Sequence, residues 1–185
     1  TNTVFDGNTG VQGCVFYITK GSTTEEQEYI TLTDCQFINN NFTVSNKGKA
    51  TGVLHAPMNF IRLAGENVFN GNKAIFKGSS SKQNCAFGGS IFFEVTSSID
   101  VTFSSLTIME SSSTNYGGGI GVYCENSGST PLKVRFAFEH CLFQKCTSDV
   151  GGAIYLDEND KVQYEVSILH CTFDKCNSKA GSSIH

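Results

Sequence analysis

The chain has no tryptophan, two prolines and two methionines in 185 residues, and only 13 of its residues are Lys or Arg. Against 17 Asp and Glu this leaves a formal net charge of −4, so composition offers no basic face to a nucleic-acid backbone. Arginine occurs twice, at Arg62 and Arg135. No apolar run approaches the roughly 18 residues of a membrane span. No signal-peptide pattern is visible, and a secreted chain beginning at Thr1 would already have lost its signal. Eight cysteines are present but none forms C-x-x-C, which argues against a zinc ribbon.

What is abundant is small and polar. Ser (20), Thr (17), Asn (15) and Gly (19) together make 71 of the 185 residues, and with so little proline this mix points to many short strands and turns. Fifteen Phe and a hydrophobic fraction of 39% argue against disorder, because they suffice to bury a core. The length suits one domain, taken as residues 1–185.

The chain repeats. His140-Cys141-Leu142-Phe143-Gln144-Lys145-Cys146 returns 30 residues later as His170-Cys171-Thr172-Phe173-Asp174-Lys175-Cys176. Each copy is followed by a small-residue opening to an apolar strand, Gly151-Gly152-Ala153-Ile154 and Gly181-Ser182-Ser183-Ile184. Related openings stand at Gln12-Gly13-Cys14-Val15, Ala50-Thr51-Gly52-Val53, Gly88-Gly89-Ser90-Ile91 and Gly117-Gly118-Gly119-Ile120. The central apolar residue of the other motif falls at Phe5, Phe37, Phe69, Ile108, Phe143 and Phe173, giving six copies 30 to 39 residues apart.

Apolar residues also sit five and three positions before the Cys: Ile30 and Leu32, Val101 and Phe103, Phe136 and Phe138, Val166 and Ile168. A step of two is strand spacing with both side chains on one face. The third copy, Ile61 and Leu63 before Asn67, slips by one, as a bulge would cause. The odd step from the last of these to the Cys requires a bend if both are to face inward. Each copy therefore reads as three short strands and three corners, one coil of an all-β parallel β-helix of about six coils. Equivalent residues should stack about 4.8 Å apart. The small residues should permit a tight corner, and the Asn or Cys three positions after Phe should occupy the next corner. The stretches 23–28, 78–82 and 126–131 read as loops on this scaffold.

Phe69-Asn70-Gly71-Asn72, Phe5-Asp6-Gly7-Asn8 and Phe37-Ile38-Asn39-Asn40, alternating with openings such as Gly151-Gly152-Ala153-Ile154, resemble the Phe-x-x-Asn and Gly-Gly-Ala-Ile/Leu/Val repeats of the chlamydial polymorphic membrane protein family. The resemblance covers essentially the whole chain. It implies a right-handed parallel β-helix on a secreted or surface-exposed protein, with adhesion as the usual role. The chain departs from that pattern by placing Cys146 and Cys176 at Asn positions.

Chemistry is sparse in the pattern. The acidic stretch Asp157-Glu158-Asn159-Asp160 lacks calcium-loop spacing and reads as a solvated turn. His140 and His170 should stack as an exposed pair, and Lys145 over Lys175 is tolerable only facing water. Gly117-Gly118-Gly119 is followed by no Lys-Ser/Thr and is a strand opening, not a phosphate loop. No catalytic, cofactor-binding or metal site is expected. An even number of cysteines suits a disulfide framework made in an oxidising compartment. In-register stacking would pair Cys141 with Cys171 and Cys146 with Cys176, and linkage of neighbouring coils suggests Cys14–Cys35 and Cys85–Cys124. Asn41-Phe42-Thr43 is the single N-glycosylation sequon, expected at an exposed corner.

The functional expectation is a non-catalytic extracellular or cell-surface β-helix, a stalk or fibre-forming adhesive protein. The alternative is a carbohydrate-active enzyme of the β-helix class, a polysaccharide lyase or hydrolase. Expected partners are itself, stacked head to tail, or further repeats of the same chain, with glycans or host and cell-surface ligands beyond. Neither nucleic acid nor a membrane span is expected in this segment.

Overall fold

The computed structural model describes residues 1–10, 15–18, 30–57, 61–81, 83–124 and 130–185. Among them there is no helix, and every strand-to-strand ladder is parallel. The ladders stack into a β-solenoid of about five turns, close to the six coils that the repeat spacing predicts.

One sheet runs the length of the solenoid and contains one strand from each copy: Val4–Asp6, Gln36–Ile38, Val68–Asn70, Thr107–Met109, Leu142–Gln144 and Thr172–Asp174. The register is the one the spacing requires, with Phe5, Phe37, Phe69, Ile108, Phe143 and Phe173 in line. Their rings stack nearly parallel, at 4.9 Å for Phe5 and Phe37, 4.6 Å for Phe37 and Phe69, and 4.9 Å for Phe143 and Phe173. A second sheet joins Phe16–Tyr17, Leu54–Pro57, Ile91–Val95, Ile120–Cys124 and Ile154–Leu156. The third wall is Ile99–Ser104, Leu132–Glu139 and Val162–Leu169, with the pair Ile30–Thr33 and Ile61–Ala64 below it. Val101, Phe136 and Val166 are in line, as are Phe103, Phe138 and Ile168. Additional strands elaborate this plan: Thr9–Gly10, Asn41–Val44, Lys73–Phe76 and Ser112–Ser113 form a ladder, and Lys49–Thr51 pairs with Cys85–Phe87.

The bend before each Cys is a single residue in the left-handed region. Asp34, Ser105, His140 and His170 all have φ between 53° and 56°. An isolated left-handed residue shifts the alternation, so the apolar residue two before it and the residue after it both face inward, as Phe103 with Leu106 and Phe138 with Cys141 do. The corner after Phe uses the same device at Asn39, Glu110, Lys145 and Lys175, with φ between 52° and 54°. In the third coil the extra residue lies in the first of these corners, before Asn67. The amide of Glu66 it leaves over donates to the Asp34 carboxylate at 2.8 Å.

Two hydrogen-bonded ladders line the corners inside the solenoid. The Nδ2 of Asn40 donates to Phe5 O at 3.1 Å and that of Asn72 to Phe37 O at 2.9 Å. Asn72 Oδ1 accepts from the backbone N of Asn40 at 3.0 Å. Where the chain carries Cys instead, the thiol does the same work: Cys146 donates to Ile108 O at 3.6 Å and Cys176 to Phe143 O at 3.5 Å. The other ladder matches it, with Asn67 Nδ2 on Leu32 O at 3.2 Å and Cys141 and Cys171 each 3.3 Å from the carbonyls of Phe103 and Phe138. Asn and Cys share these positions because each is short and puts a donor at the γ or δ atom.

The expected tight opening is visible at Gly118. A Cβ there would lie 2.2 Å from Gly152 O and 2.5 Å from Thr147 N, both backbone atoms of the next coil. Of the expected loops, residues 23–28 and most of 126–131 lie outside the described residues, as does Lys82.

Candidate functional site

The Gly-rich opening has a consequence outside the solenoid. Along Ile91–Val95, residues Ile91, Phe93 and Val95 join the main core, so Phe92 and Glu94 face out. On the preceding strand, Ala86 packs inward while Cys85 and Phe87 belong with Phe92 and Tyr155 to a separate buried cluster. Phe87 and Phe92 meet at 5.2 Å although both point away from the core. The corner between them is therefore re-entrant, and two outer faces pack on each other. Gly121 keeps the corner closed, since a Cβ there would come within 2.6 Å of Gly88 N and 3.1 Å of Phe87 Cβ.

Six coils contribute to this outer cluster. Phe87 stacks on Tyr116 at 4.9 Å, Tyr116 meets Tyr155 at 4.6 Å, and Tyr155 lies parallel to His185 at 6.0 Å. In the other direction, His55 stands edge-to-face with Phe92 at 4.8 Å and with Tyr17 at 4.5 Å. The register explains the sequence of rings: Tyr17, His55, Phe92, Gly121 and Tyr155 occupy one outward row of the second sheet.

A charged group sits on this aromatic floor. Glu94 Oε1 is 3.5 Å from His55 Nε2 and 3.8 Å from Lys49 Nζ. The same ammonium lies 3.6 Å from the centroid of the Tyr123 ring, a cation–π contact. Lys49 and Glu94 side chains are 19% and 35% exposed, so the group is reachable from solvent. The hydrogen bond from His55 holds the Glu94 carboxyl below the usual carboxylate range, helped by the charges of His55 and Lys49 and opposed by burial. His55 is buried, and its Nδ1 is shielded and has no hydrogen-bond partner. Beneath, burial pushes the Cys85 thiol up to about 12 despite the nearby Lys49, so it is a poor nucleophile.

Asp157 joins the cluster as well, in contrast to the solvated turn expected over 157–160. Its side chain is buried and accepts a hydrogen bond from the Tyr155 hydroxyl at 3.3 Å. Burial, then the Asp157 charge, raises the Tyr155 hydroxyl above its ordinary value. Glu158 and Asp160 remain exposed, and Glu158 pairs with His185 at 2.8 Å.

The residues singled out from sequence fall elsewhere. Among the seven described cysteines there is no disulfide. Cys171 Sγ lies 3.4 Å from Cys141 N, and the mutual interaction of the Cys146 and Cys176 thiols, one coil apart, raises Cys146 and lowers Cys176. Cys85 packs in the outer cluster and Cys124 in the main core. Cys14, and with it the Cys14–Cys35 pairing, lies outside the described residues. Asn41 follows the corner but opens the strand Asn41–Val44, half-buried, with Oδ1 shielded from solvent. His140 and His170 stack at 5.1 Å on the surface as expected. Lys145 and Lys175 both face water, Lys145 pairing with Glu110 at 2.8 Å. Among the described residues no group of three or more His, Cys, Asp or Glu converges as a metal site would require.

Sequence reasoning did not find the outer cluster. Its one legible trace is the adjacent pair Phe92-Phe93, where strand alternation must turn one large ring outward. Comparison with protein-family models, curated proteins and solved structures finds no match.

Proposed function

We propose that the chain is a non-catalytic extracellular β-helix, used as a surface stalk or fibre and as an adhesive scaffold. The reading rests on continuity along the axis. Each coil offers the next an equivalent set of rungs: an inward residue in the ring row, two corner positions that carry Asn or Cys in most coils, and the paired outer strand. Coil six still offers that set, with Val166, Ile168 and Leu169 at 37%, 41% and 50% exposure and Phe173 only half-buried. Apolar strand positions of this kind are covered in solenoids by a further coil. Here that coil is another repeat of the same protein or coil one of a second copy; the second arrangement does not close and builds a filament. The resemblance to the chlamydial polymorphic membrane protein repeats supports a surface location and an adhesive role, and an even number of cysteines suits an oxidising compartment.

Light scattering across a wide concentration range tests the assembly. Species growing with concentration are expected, and a stable 20.0 kDa monomer throughout would reject head-to-tail stacking. The second reading, a carbohydrate-active enzyme, draws on the His55, Glu94 and Lys49 group on one outer face. Depolymerisation of a polysaccharide panel, abolished by Glu94→Gln, would establish it in place of the first.

A further inference from the structure

The outer corner carries polar groups whose chemistry the scaffold does not use up. Glu94 directs one oxygen to both His55 and Lys49, which leaves carboxylate acceptor capacity toward solvent. Lys49 is clamped between the Tyr123 ring and Glu94 and still reaches solvent. His55, more than nine-tenths buried, holds an unpartnered Nδ1 among these rings. Beside them Tyr17 is 60% exposed although it is packed against the His55 ring. An exposed, propped aromatic face next to a pre-positioned acceptor and donor is more than the fold requires.

Several ligand classes fit poorly. An anion or nucleic-acid backbone would meet a lysine already neutralised by Glu94, on a chain of net charge −4. An apolar peptide side chain needs a pocket, but Phe87 and Phe92 fill the floor at 1% and 0% exposure. A metal ion would need a convergent donor set, and none is formed among the described residues. What remains is a ligand with one apolar face and a rim of neutral donors and acceptors. A pyranose has that form: its axial C–H face packs on an aromatic ring, and adjacent hydroxyls both donate to a carboxylate and accept from an ammonium.

We propose that Tyr17, Glu94 and Lys49 form a binding site for a neutral saccharide, Tyr17 as the stacking platform and Glu94 and Lys49 as the hydroxyl-reading pair. The inference rests on the adhesive reading and names its ligand class. His55 acts as a positioning residue, holding Glu94 through Nε2 and Tyr17 through ring contact. Because the charged pair is held by the scaffold, little ordering accompanies binding.

The test uses the whole chain with cellobiose, chitobiose, mannobiose and N-acetyllactosamine in saturation-transfer NMR and titration calorimetry. At least one should receive saturation at its ring C–H protons, and Tyr17→Ala and Glu94→Gln should each weaken it by about tenfold or more. Lys175→Ala, on the surface of coil six, should leave it unchanged. Circular dichroism confirms that the variants fold; should one not, the other carries the comparison. No binding by any probe, or equal binding by both variants, overturns the proposal. A parallel cell-adhesion assay separates it from the broader reading. Adhesion that persists in Tyr17→Ala while no saccharide binds would reject the site and leave the adhesive role standing. Saccharide binding without adhesion would uphold the site and reject that role.

Discussion

Replacing Phe143 by alanine tests the register of the whole solenoid. Phe143 is fully buried, parallel to Phe173 with centroids 4.9 Å apart and edge-on to Phe138 at 5.9 Å. On its other side it is in register with Ile108. The void left by truncation is closed above and below by neighbours held at strand spacing, so it has little room to collapse. A cost of about 3–5 kcal/mol follows for such a cavity, with the two lost ring pairs placing it toward the upper end. Phe173→Ala removes the same atoms one coil further on, where the ring is half-buried, so the void opens to water. It should cost about half as much. Urea melts at constant m-value measure both, and at this chain length each kcal/mol lost should appear as a fall of about 2–4 °C in Tm. Because coil six can open separately from the rest, hydrogen exchange should be read alongside, with Phe173→Ala confined to the last coil and Phe143→Ala spreading inward. A loss below about 1 kcal/mol at Phe143, or equal losses at the two sites, would refute the stacking.

Gly118→Ala forces a Cβ to within 2.2 Å of the Gly152 carbonyl and should destabilise by about 3 kcal/mol or more. Gly7→Ala, at φ 65° with nothing within 4 Å, should cost only about 1–2 kcal/mol in the same melts. After expression in an oxidising compartment, peptide mapping should find bonds 141–171 and 146–176; bonds 141–146 and 171–176 would reject the stacked pairs. The folded state holds the Glu94 carboxyl below its unfolded value, so its stabilisation is fully present above the unfolded pKa and is lost as pH falls through the folded one. Thermal melts should therefore show the wild type losing its advantage over Glu94→Gln below about pH 4, and an unchanged difference from pH 6 to pH 3 would contradict the His55 and Lys49 contacts.

Much of the fold was legible because a solenoid repeats its contacts whenever it repeats its residues. The spacing of Phe5, Phe37, Phe69, Ile108, Phe143 and Phe173 states which side chains stack, since equivalent positions in successive coils must lie one strand apart. The odd step before Cys35, Cys141 and Cys171 announced a bend, and the left-handed Asp34, His140 and His170 supply it. That Cys and Asn exchange at one corner was visible too, though the reason, a shared bond to the carbonyl of the coil before, needed coordinates.

The sequence by itself determined the period, the inward rows and the corners, because these depend on local alternation and on recurrence at a fixed interval. Only the tertiary structure decided which way the Gly-rich corner turns. Alternation marks Cys85, Phe87, Phe92 and Tyr155 as outward, and an outward residue is ordinarily exposed. A re-entrant corner gives that outer face a second face to pack on, so the four are buried with Asp157 beside them, and Lys49, His55, Glu94 and Tyr123 from three successive coils meet at its rim. No interval in the chain encodes that meeting, because it depends on the sign of a turn and on strands of different coils lying in register.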